Sequence, residues 1–320
     1  MSGHVPVMLN EVMTALAPRD DAIYIDGTFG GGGYTRALLT RAKCKVVAID
    51  RDPAAIMRGA ALAQEFEGRL TLVEGAFSEM ERLAGVPVDG IALDLGFSSF
   101  QLDDPERGFS FSSDGPLDMR MSQSGSSAAD IVNTLDEQAI ADILWRYGEE
   151  KKSRNIARAI VSARPVSTTR ALAEIVERAA GSGAKRYAIH PATRTFQALR
   201  IYVNDELGEL ERGLEAAERS LKLSGRLAVV SFHSLEDRIV KQFLSQRSGR
   251  DSSVSRHLPQ PAVTHPPSFV LSKFWSLTPR DQEIHENPRA RSARLRAAER
   301  SSAPAWSEPC SFVKPEGGRA

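Results

Sequence analysis

The chain has 320 residues, of which 42% are hydrophobic and 26% are charged, and its formal net charge is zero. This composition is typical of a globular protein whose core needs no disulfide or metal, and the length predicts about two domains. Cys44 and Cys310 form no paired motif, which argues against a disulfide framework and a thiolate zinc site and predicts a reducing cytoplasm. We expect neither a secretion signal nor a membrane span, because no run of 18 apolar residues occurs.

The charges are unevenly distributed along the chain. Residues 1–144 carry 11 basic and 22 acidic side chains, whereas residues 145–200 carry 12 basic and 4 acidic ones. The basic stretch indicates either a surface for a polyanion or a set of solvated helix faces, and composition alone does not separate the two.

The first hundred residues alternate short apolar runs with helical patterns. The runs occupy residues 22–25, 46–49, 70–73 and 91–93. Helical patterns over residues 34–41 and 53–66 fit between them. Strands alternating with helices predict an α/β fold with a parallel, doubly wound sheet, and a fifth apolar run follows only at residues 227–232.

A helical segment separates the fourth run from the fifth. After a turn-rich stretch at residues 103–127, a capping box at Thr134 and Glu137 begins a helix that Gly148 ends, and two more helical patterns follow, over residues 154–164 and 171–180. Pro191 then begins an apolar stripe in steps of three and four that reaches Leu221, which predicts one helix roughly 40 Å long.

The organisation that follows is a sheet domain interrupted by a helical insertion. We assign residues 1–104 and 216–300 to the sheet domain and residues 105–215 to the insertion. Residues 245–268 are rich in Ser, Arg and Pro and are interpreted as a loop. Residues 301–320 are interpreted as a disordered tail.

The segment after the first strand is rich in glycine. Asp26 is followed by Gly27 and by four consecutive glycines at positions 30–33. Glycines let the backbone approach a ligand closely, and the next helix directs its first N–H groups at that ligand. The spacing lacks G-x-G-x-x-G, but Asp50 ends the second strand, where a carboxylate can accept both hydroxyls of a ribose. These features predict a nucleoside-containing cofactor and leave NAD and S-adenosylmethionine equally open.

The fourth strand also ends in polar residues. Asp94 stands at its carboxyl end, where open parallel sheets bind ligands, and Ser98, Ser99 and Gln101 follow. An Asx turn or a helix cap is the alternative interpretation of Asp94.

A histidine follows the fifth strand. His233 precedes a capping box formed by Ser234 and Asp237, which puts it at the carboxyl edge of the sheet. Most lone histidines are structural, and the other five form no metal-ligand spacing with this one.

Arginines and aromatic residues lie between the fourth strand and the helix that begins at Pro191. In the glycine-rich loop, Arg107, Phe109, Phe111 and Arg120 suit either stacking on a base or anchoring of the loop. In the helix itself, a polar stripe that includes Arg194 and Arg200 faces either solvent or a site, because helical spacing does not decide between them.

Taken together, these segments resemble one family, the bacterial 16S ribosomal RNA cytosine-N4 methyltransferases, also called the MraW or small-subunit methyltransferase H family. The resemblance covers about residues 4 to 300 in the same order. The matching motifs are HVPV at 4–7, DGT at 26–28, DRD at 50–52, DLG at 94–96, PLDMRM at 116–121, HPATRTFQALR at 190–200, FHSLEDR at 232–238 and NPRARSA at 287–293.

The resemblance implies a class I, Rossmann-like methyltransferase fold with an inserted all-α domain. It implies S-adenosylmethionine as cofactor, S-adenosylhomocysteine as product and no metal. It further implies methylation of the exocyclic amine of a cytidine in the decoding centre of 16S rRNA, within the small ribosomal subunit in the cytoplasm. Carried over by position, the cofactor contacts are Gly32, Gly33, Tyr34, Asp50, Phe77, Asp94 and Gln101.

The chain departs from the family pattern at three positions. Tyr34 stands where the family usually has histidine, which puts any imidazole-specific role in doubt. Phe100 replaces proline, and Gly31 replaces a variable, often basic residue.

For the reaction, we expect in-line transfer of the methyl group to an amine whose hydrogens are held by acceptors. Asp94 is the first candidate acceptor, and Ser98, Ser99 and His233 are weaker ones. Duplex stacking would block access, so we expect the target base to be flipped out. The expected RNA contacts are Arg107, Arg120, Lys151, Lys152, Lys185, Arg186, Arg194 and Arg200.

Two other functions stay open on the sequence. A nicotinamide-dependent oxidoreductase is disfavoured because G-x-G-x-x-G is absent. A non-catalytic RNA-binding factor on the same scaffold is disfavoured by the intact glycine loop, Asp50 and Asp94. Monomer and homodimer are both compatible with the sequence, and no membrane partner is expected.

Overall fold

The computed structural model describes residues 6–181, 190–250, 265–310 and 312. The chain divides into two compact units. Among the described residues, the sheet unit comprises residues 6–96, 207–250, 265–310 and 312, and the helical unit comprises residues 97–181 and 190–206. The sequence placed these boundaries at 104/105 and 215/216.

The sheet unit is built on one seven-stranded sheet. Its strands are β1 (Ile23–Asp26), β2 (Lys45–Asp50), β3 (Leu70–Glu74), β4 (Val88–Asp94), β5 (Leu221–Ser231), β6 (Phe269–Leu277) and β7 (Arg294–Arg300). The order across the sheet is β3-β2-β1-β4-β5-β7-β6. Strands β1 to β5 pair in parallel, and β7 is antiparallel to both of its neighbours. The sheet is mostly parallel, and its strand order changes direction between β1 and β4. This topology confirms the class I, Rossmann-like methyltransferase fold.

Helices cover both faces of this sheet, as the continuous apolar runs predict. The helices of this unit are α1 (Leu9–Leu16), α2 (Gly33–Arg41), α3 (Pro53–Glu65), α4 (Met80–Ala84), α11 (Glu206–Ser220), α12 (Ser234–Arg247) and α13 (Asp281–Glu286). Adjacent residues of β1 belong to opposite faces: Tyr24 packs with α1 and α2 residues, and Ile25 packs with α11 and α12 residues.

The helical unit has its own core. Its helices are α5 (Ser99–Asp103), α6 (Ala128–Thr134), α7 (Glu137–Gly148), α8 (Ser153–Ser162), α9 (Thr169–Ala180) and α10 (Ala192–Asn204). Leu144, Ile160, Leu172 and Leu199 are fully buried in one cluster contributed by α7 to α10.

Two local predictions in this unit are wrong. The capping box at Thr134 does not form, because Thr134 ends α6 and its hydroxyl donates to the Asp130 carbonyl. Asp136 instead caps α7 by accepting the backbone N–H of Ala139.

The single long helix predicted from Pro191 to Leu221 is also wrong, because the helix breaks at Asp205. This residue takes a left-handed φ of 47°, and its N–H donates to carbonyls of the last turn of α10. The apolar stripe continues across the break because each half has a core to pack into, with Leu199 in the core of the helical unit and Leu214 in that of the sheet unit. Periodicity therefore did not reveal the break.

Two strands were not predicted. They are β6 and β7. Four of the seven residues of β7 are charged, and two of its three arginines are buried with partners: Arg296 donates to Asp237 at 2.7 and 3.0 Å, and Arg300 donates to the carbonyls of Glu218 and Ser268. Buried arginines hide the apolar pattern by which a strand is recognised.

The first part of the expected tail belongs to the sheet unit. The ring of Trp306 lies 4.3 Å from the Arg247 guanidinium, whose Nε binds Glu218 at 2.9 Å. Cys310 is buried as well. Residues 301–310 are therefore ordered rather than disordered as expected, whereas residues 311 and 313–320 lie outside the described part. Of the expected loop at residues 245–268, the first three residues end α12, and residues 251–264 are not described.

Candidate functional site

The glycine loop follows β1 at the carboxyl edge of the sheet and is tightly folded. A Cβ added at Gly27 would lie 2.5 Å from the Leu93 side chain, and one at Gly32 would lie 2.8 Å from the Phe29 ring. Gly32 also has a φ of 75°, which side chains rarely adopt. The glycines thus bring bare backbone to the start of α2.

Asp26, at the end of β1, fixes this loop through hydrogen bonds to Thr28 and Thr35. One of its carboxylate oxygens accepts the Thr35 hydroxyl at 2.7 Å and the Thr35 N–H at 3.1 Å, and the other accepts the Thr28 N–H at 3.3 Å. Burial raises the pKa of Asp26 to about 6, although these hydrogen bonds favour the ionised form. Asp26 therefore orients the loop and adds to the negative field of the site.

Asp50, at the end of β2, is oriented by backbone donors. Its two oxygens accept the Gly30 N–H at 2.7 Å and the Asp52 N–H at 2.8 Å. Burial raises its pKa, and these two bonds oppose the rise. Each carboxylate oxygen has a further lone pair, so Asp50 can still accept the hydroxyls of a ribose.

Asp94, at the end of β4, has a different environment. Its Oδ1 atom is buried and makes no hydrogen bond to any described residue. Burial raises the pKa of this carboxyl well above its usual range, and the charges of Asp26 and Glu236 raise it further. A buried carboxylate without a partner is costly, which marks this oxygen as a place for a cation or a donor.

The end of β5 contributes His233 and Glu236. Glu236 is buried, and its Oε2 accepts the backbone N–H groups of Phe232 at 2.8 Å and His233 at 3.3 Å. His233 is therefore the N-cap of α12, and the predicted capping box of Ser234 and Asp237 is wrong by one residue. The Nε2 atom of His233 lies 3.1 Å from Oε1 of Glu236.

Tyr34 connects the glycine loop to the start of the described chain. Its buried hydroxyl donates to the Val7 carbonyl at 2.5 Å. A Cβ at Gly33 would lie 2.0 Å from Pro6, and the Met8 N–H donates to Glu283 at 2.6 Å. Residues 6–8 therefore form a strap pressed against the N-terminus of α2. His4, in the first predicted motif, lies outside the described residues.

Phe77 follows β3 and packs inside the sheet unit. A Cβ at Gly213 of α11 would lie 2.2 Å from its ring, and one at Gly27 would lie 3.1 Å from its own Cβ. Phe77 thus lies beside the glycine loop. The structure brings six of the seven predicted cofactor contacts to one edge of the sheet unit: Gly32, Gly33, Tyr34, Asp50, Phe77 and Asp94.

The seventh, Gln101, belongs to the helical unit. Its Oε1 accepts the Ser98 N–H at 2.9 Å, and the Ser98 hydroxyl accepts the Gln101 N–H at 3.3 Å, so the two form a capping box. Ser99 is the first residue of α5 and is half-buried. Ser98 thus has a structural role that its position as a candidate acceptor did not reveal.

Several of the expected RNA contacts have intramolecular partners in the helical unit. Arg107 donates to the carbonyls of Arg120 and Met121, and Arg120 binds the Asp118 carboxylate at 2.6 Å. Arg200 is buried against Glu206. These contacts favour anchoring of the loop over exposure to a phosphate.

Other expected RNA contacts are exposed. Lys151, Lys152 and Arg194 are all exposed, although the Lys152 ammonium also donates to the Ala180 carbonyl. Lys185 and Arg186 lie outside the described residues.

Sequence reasoning missed Glu236 and the roles of Asp26 and Thr35. The glutamate three residues after His233 was a usable signal, because a glutamate at the third residue of a helix can accept the backbone N–H of the N-cap residue. In the described ranges, no set of three His, Cys, Asp or Glu side chains has a geometry that could hold a metal ion. None of the helices described is both long and apolar enough to span a membrane.

The chain is similar to known proteins over its whole length. A model of the MraW methylase family matches residues 1–301. The ribosomal RNA small subunit methyltransferase H of Rhodospirillum rubrum is 57% identical, covering 100% of this chain and 99% of that protein. Its namesake in Rhodospirillum centenum is 61% identical, covering 94% and 93%. A solved rRNA methylase from Streptococcus thermophilus aligns with a TM-score of 0.41 at 12% identity, covering 92% and 94%.

Proposed function

Since this chain belongs to the MraW methylase family, we propose that it methylates the N4 amine of a cytidine in the decoding centre of 16S rRNA, with S-adenosylmethionine as methyl donor. The name of its relatives, ribosomal RNA small subunit methyltransferase H, supports the substrate class. The reaction would take place on the small ribosomal subunit in the cytoplasm. The observation that carries the proposal is the buried Oδ1 of Asp94, which bonds no described residue and belongs to a residue whose N–H donates to Thr28 of the glycine loop.

The carboxyl edge of the sheet suits this cofactor. S-adenosylmethionine supplies an activated methyl group on a cationic sulfur. Asp26, and Asp94 when it is ionised, create a negative field in which a cation is favoured, and Asp50 is oriented to accept ribose hydroxyls. The bare backbone at Gly32 and Gly33 allows close approach. The proposed contacts are Gly32, Gly33, Tyr34, Asp50, Phe77, Asp94 and Gln101.

The chain's task in the reaction is to prepare a weak nucleophile. The lone pair of a cytosine amine is delocalised into the ring, so acceptors must hold the N–H groups. When the N–C bond forms and the S–C bond breaks, the amine loses one proton. We assign its acceptance to Asp94, whose unpartnered Oδ1 is available as a base when ionised. His233, Ser98 and Ser99 are secondary candidates. The alignment of amine and methyl group accounts for much of the rate gain.

The helical unit is proposed to bind the RNA backbone. Its described exposed basic side chains include Lys151, Lys152, Arg154 and Arg194. Lys185 and Arg186 remain proposed contacts from the sequence, whereas Arg107, Arg120 and Arg200 are assigned to the support of the unit itself.

The product identifies the function directly. Decoding-centre RNA from a strain that lacks this chain, with and without the gene restored, is digested and analysed by mass spectrometry. We expect an N4-methylated cytidine that depends on the gene. An unchanged modification pattern would contradict the proposal.

Replacement of Asp94 tests the chemistry. Asp94→Asn keeps the shape of the side chain but cannot accept the proton, so we expect the single-turnover rate at saturating cofactor and subunit to fall by about 100-fold or more. The melting temperature should not fall, because asparagine has nearly the same shape and replaces a buried carboxyl whose Oδ1 bonds no described residue. A rate within twofold of wild type would remove Asp94 from the chemistry, and Glu67→Gln, an exposed site in the same unit, serves as control.

A further inference from the structure

A short arginine-rich segment of the sheet unit leads into strand β7. Residues 287–296 carry four arginines and no acidic residue, and they include a 3₁₀ helix at Pro288–Ser292. Ala290 and Ala293 are buried in the core of the sheet unit. The residue after each alanine is an exposed arginine, Arg291 and Arg294. The alanines therefore anchor the segment, while the arginines remain accessible to solvent.

Hydrogen bonds fix the backbone at both ends of this segment. At its start, the side chain of Asn287 accepts the backbone N–H of Arg289 at 3.2 Å. At its end, the Ser231 hydroxyl, from the last residue of β5, donates to the Arg294 carbonyl at 3.3 Å. A segment that is already ordered loses little backbone entropy when a ligand binds to it.

The start of β7 lies at the same edge of the sheet as the proposed reaction site. Because β7 is antiparallel to β5, its first residue, Arg294, lies opposite the last residue of β5, Ser231. On the other side of β5, Val230 lies opposite Asp94 at the end of β4. Neighbouring strands are about 4.8 Å apart, so two spacings place the backbone of Arg294 about 10 Å across the sheet from that of Asp94.

The strand order separates these arginines from the proposed cofactor contacts. Asp50 ends β2 and the glycine loop follows β1, and both strands lie on one side of β4, whereas β7 lies on the other side, beyond β5. S-adenosylmethionine has no phosphate group. A nucleotide whose base reaches Asp94 has phosphates on either side of its sugar, and the β5–β7 side of the edge offers them arginines.

The charge of the two arginines is incompletely neutralised. Asp237, in the first turn of α12, accepts from Arg296 at 2.7 and 3.0 Å, and the Nε atom of Arg294 lies 3.8 Å from the same carboxylate. One carboxylate thus serves two guanidinium groups. In the part of the chain that the structure describes, no acidic side chain lies within ion-pair distance of Arg291. The segment therefore presents net positive charge to solvent.

We propose that Arg291 and Arg294 bind backbone phosphates of the substrate RNA next to the methylated nucleotide. This inference rests on the proposed function. Arginine presents a rigid fork of N–H donors that matches phosphate oxygens. Phosphate contacts fix the register of a nucleic acid on a protein, and a base that is flipped out of its stack needs its backbone held in place. The two arginines add a contact in the sheet unit to those proposed for the helical unit.

The test separates RNA binding from overall charge and from cofactor binding. Arg291→Gln combined with Arg294→Gln removes both charges, and the corresponding pair of Arg→Lys substitutions keeps them. The matched control combines Lys43→Gln with Lys45→Gln, at two exposed residues of the sheet unit near the opposite edge, where β2 begins. Binding of the fluorescently labelled proteins to unmethylated small subunits is measured by anisotropy over a tenfold range of salt. S-adenosylmethionine affinity is measured by calorimetry.

We expect the Arg→Gln pair to flatten the slope of log affinity against log salt by up to about 1.4, because each phosphate contact to a single strand contributes about −0.7. Its loss of affinity relative to wild type should therefore grow by up to about 25-fold for a tenfold fall in salt. The Arg→Lys pair should keep most of the slope, since an ammonium group also binds phosphate. The lysine control should match wild type, and cofactor affinity and melting temperature should change little in all three variants.

Three results would each overturn the phosphate contact. They are an unchanged slope in the Arg→Gln pair, an equal change of slope in the lysine control, and a loss of cofactor affinity in place of subunit affinity. Failure of the proposed function looks different. A wild-type protein that binds subunits with an arginine-dependent slope but transfers no methyl group to them would refute the methylation while supporting the contact between arginine and phosphate.

Discussion

At the scale of single residues, the orientation of Asp50 makes its role measurable. Its two oxygens are held by the N–H groups of Gly30 and Asp52, so the carboxylate is pre-oriented toward a ligand. Hydrogen bonds to a charged group contribute about 1.5–3 kcal/mol each. Asp50→Ala should therefore weaken S-adenosylmethionine binding by about 10- to 150-fold in calorimetry. Glu67→Ala, which removes an exposed carboxylate, is the control, and an unchanged dissociation constant in a folded Asp50→Ala protein would refute the ribose assignment.

The carboxyl of Asp94 predicts a pH dependence of cofactor binding. Its pKa is raised well above the usual range by burial and by the charges of Asp26 and Glu236, so below that pKa the free protein holds a proton there. A cationic ligand favours the ionised carboxylate, and binding therefore releases a proton. Affinity for S-adenosylmethionine should increase as the pH rises through that pKa.

Calorimetry in two buffers of different ionisation enthalpy measures the released proton. Asp94→Asn should flatten the dependence of affinity on pH, leaving only the smaller contribution of Asp26, whose pKa is about 6. If Asp94→Asn shows the same pH slope as wild type, the proton does not come from Asp94.

At the scale of elements, the break between α10 and α11 depends on one backbone conformation. Asp205 has a φ of 47°, a region that costs most L-residues about 1–2 kcal/mol. Asp205→Val should destabilise the protein by at least that amount in urea denaturation, because a branched side chain tolerates the region poorly. Asp205→Gly should stay within about 1 kcal/mol of wild type. Equal stability of the two variants would mean that the left-handed turn is not required.

Some strands and helix ends could be predicted from the sequence, and others could not. Runs such as residues 46–49 and 91–93 predicted β2 and β4 because a sheet covered on both faces needs continuous apolar strands. Strand β7 was missed because Arg296 and Arg300 are buried with hydrogen-bond partners that no local pattern specifies. The break at Asp205 was missed because the apolar residues keep helical spacing across it, although those before it pack in the core of the helical unit and those after it pack in the core of the sheet unit.

The site, too, was predictable only in part. Asp26, Asp50 and Asp94 were identifiable, since each ends a predicted strand at the ligand-binding edge. Asp50 has two backbone donors, whereas Oδ1 of Asp94 bonds no described residue, and Arg200 pairs with Glu206 across a turn that was not foreseen; no local pattern specifies these contacts. Chain position therefore predicts which residues meet, and the tertiary contacts determine their charge and exposure.

At the scale of the whole molecule, the charge asymmetry predicts where RNA affinity resides. Each phosphate contact to a single strand contributes about −0.7 to the slope of log affinity against log salt. Replacement of Lys151, Lys152 and Arg154 by Gln should flatten that slope by up to about 2. The matched control replaces Arg41, Lys43 and Lys45, three exposed basic residues of the sheet unit. If both triple variants flatten the slope equally, RNA affinity depends on the overall charge of the protein and not on the basic stretch.

The interrupted sheet also has a consequence for how the protein is made. The helical unit is one continuous stretch of chain, whereas the sheet unit needs both β4 and the β5 strand that pairs with it more than 120 residues later. During synthesis from the N-terminus, all of residues 97–206 leave the ribosome while one edge of β4 still has no partner. Domains tend to fold as they emerge. The insertion can therefore fold first, and the sheet closes only when β5 and then β7 have been translated.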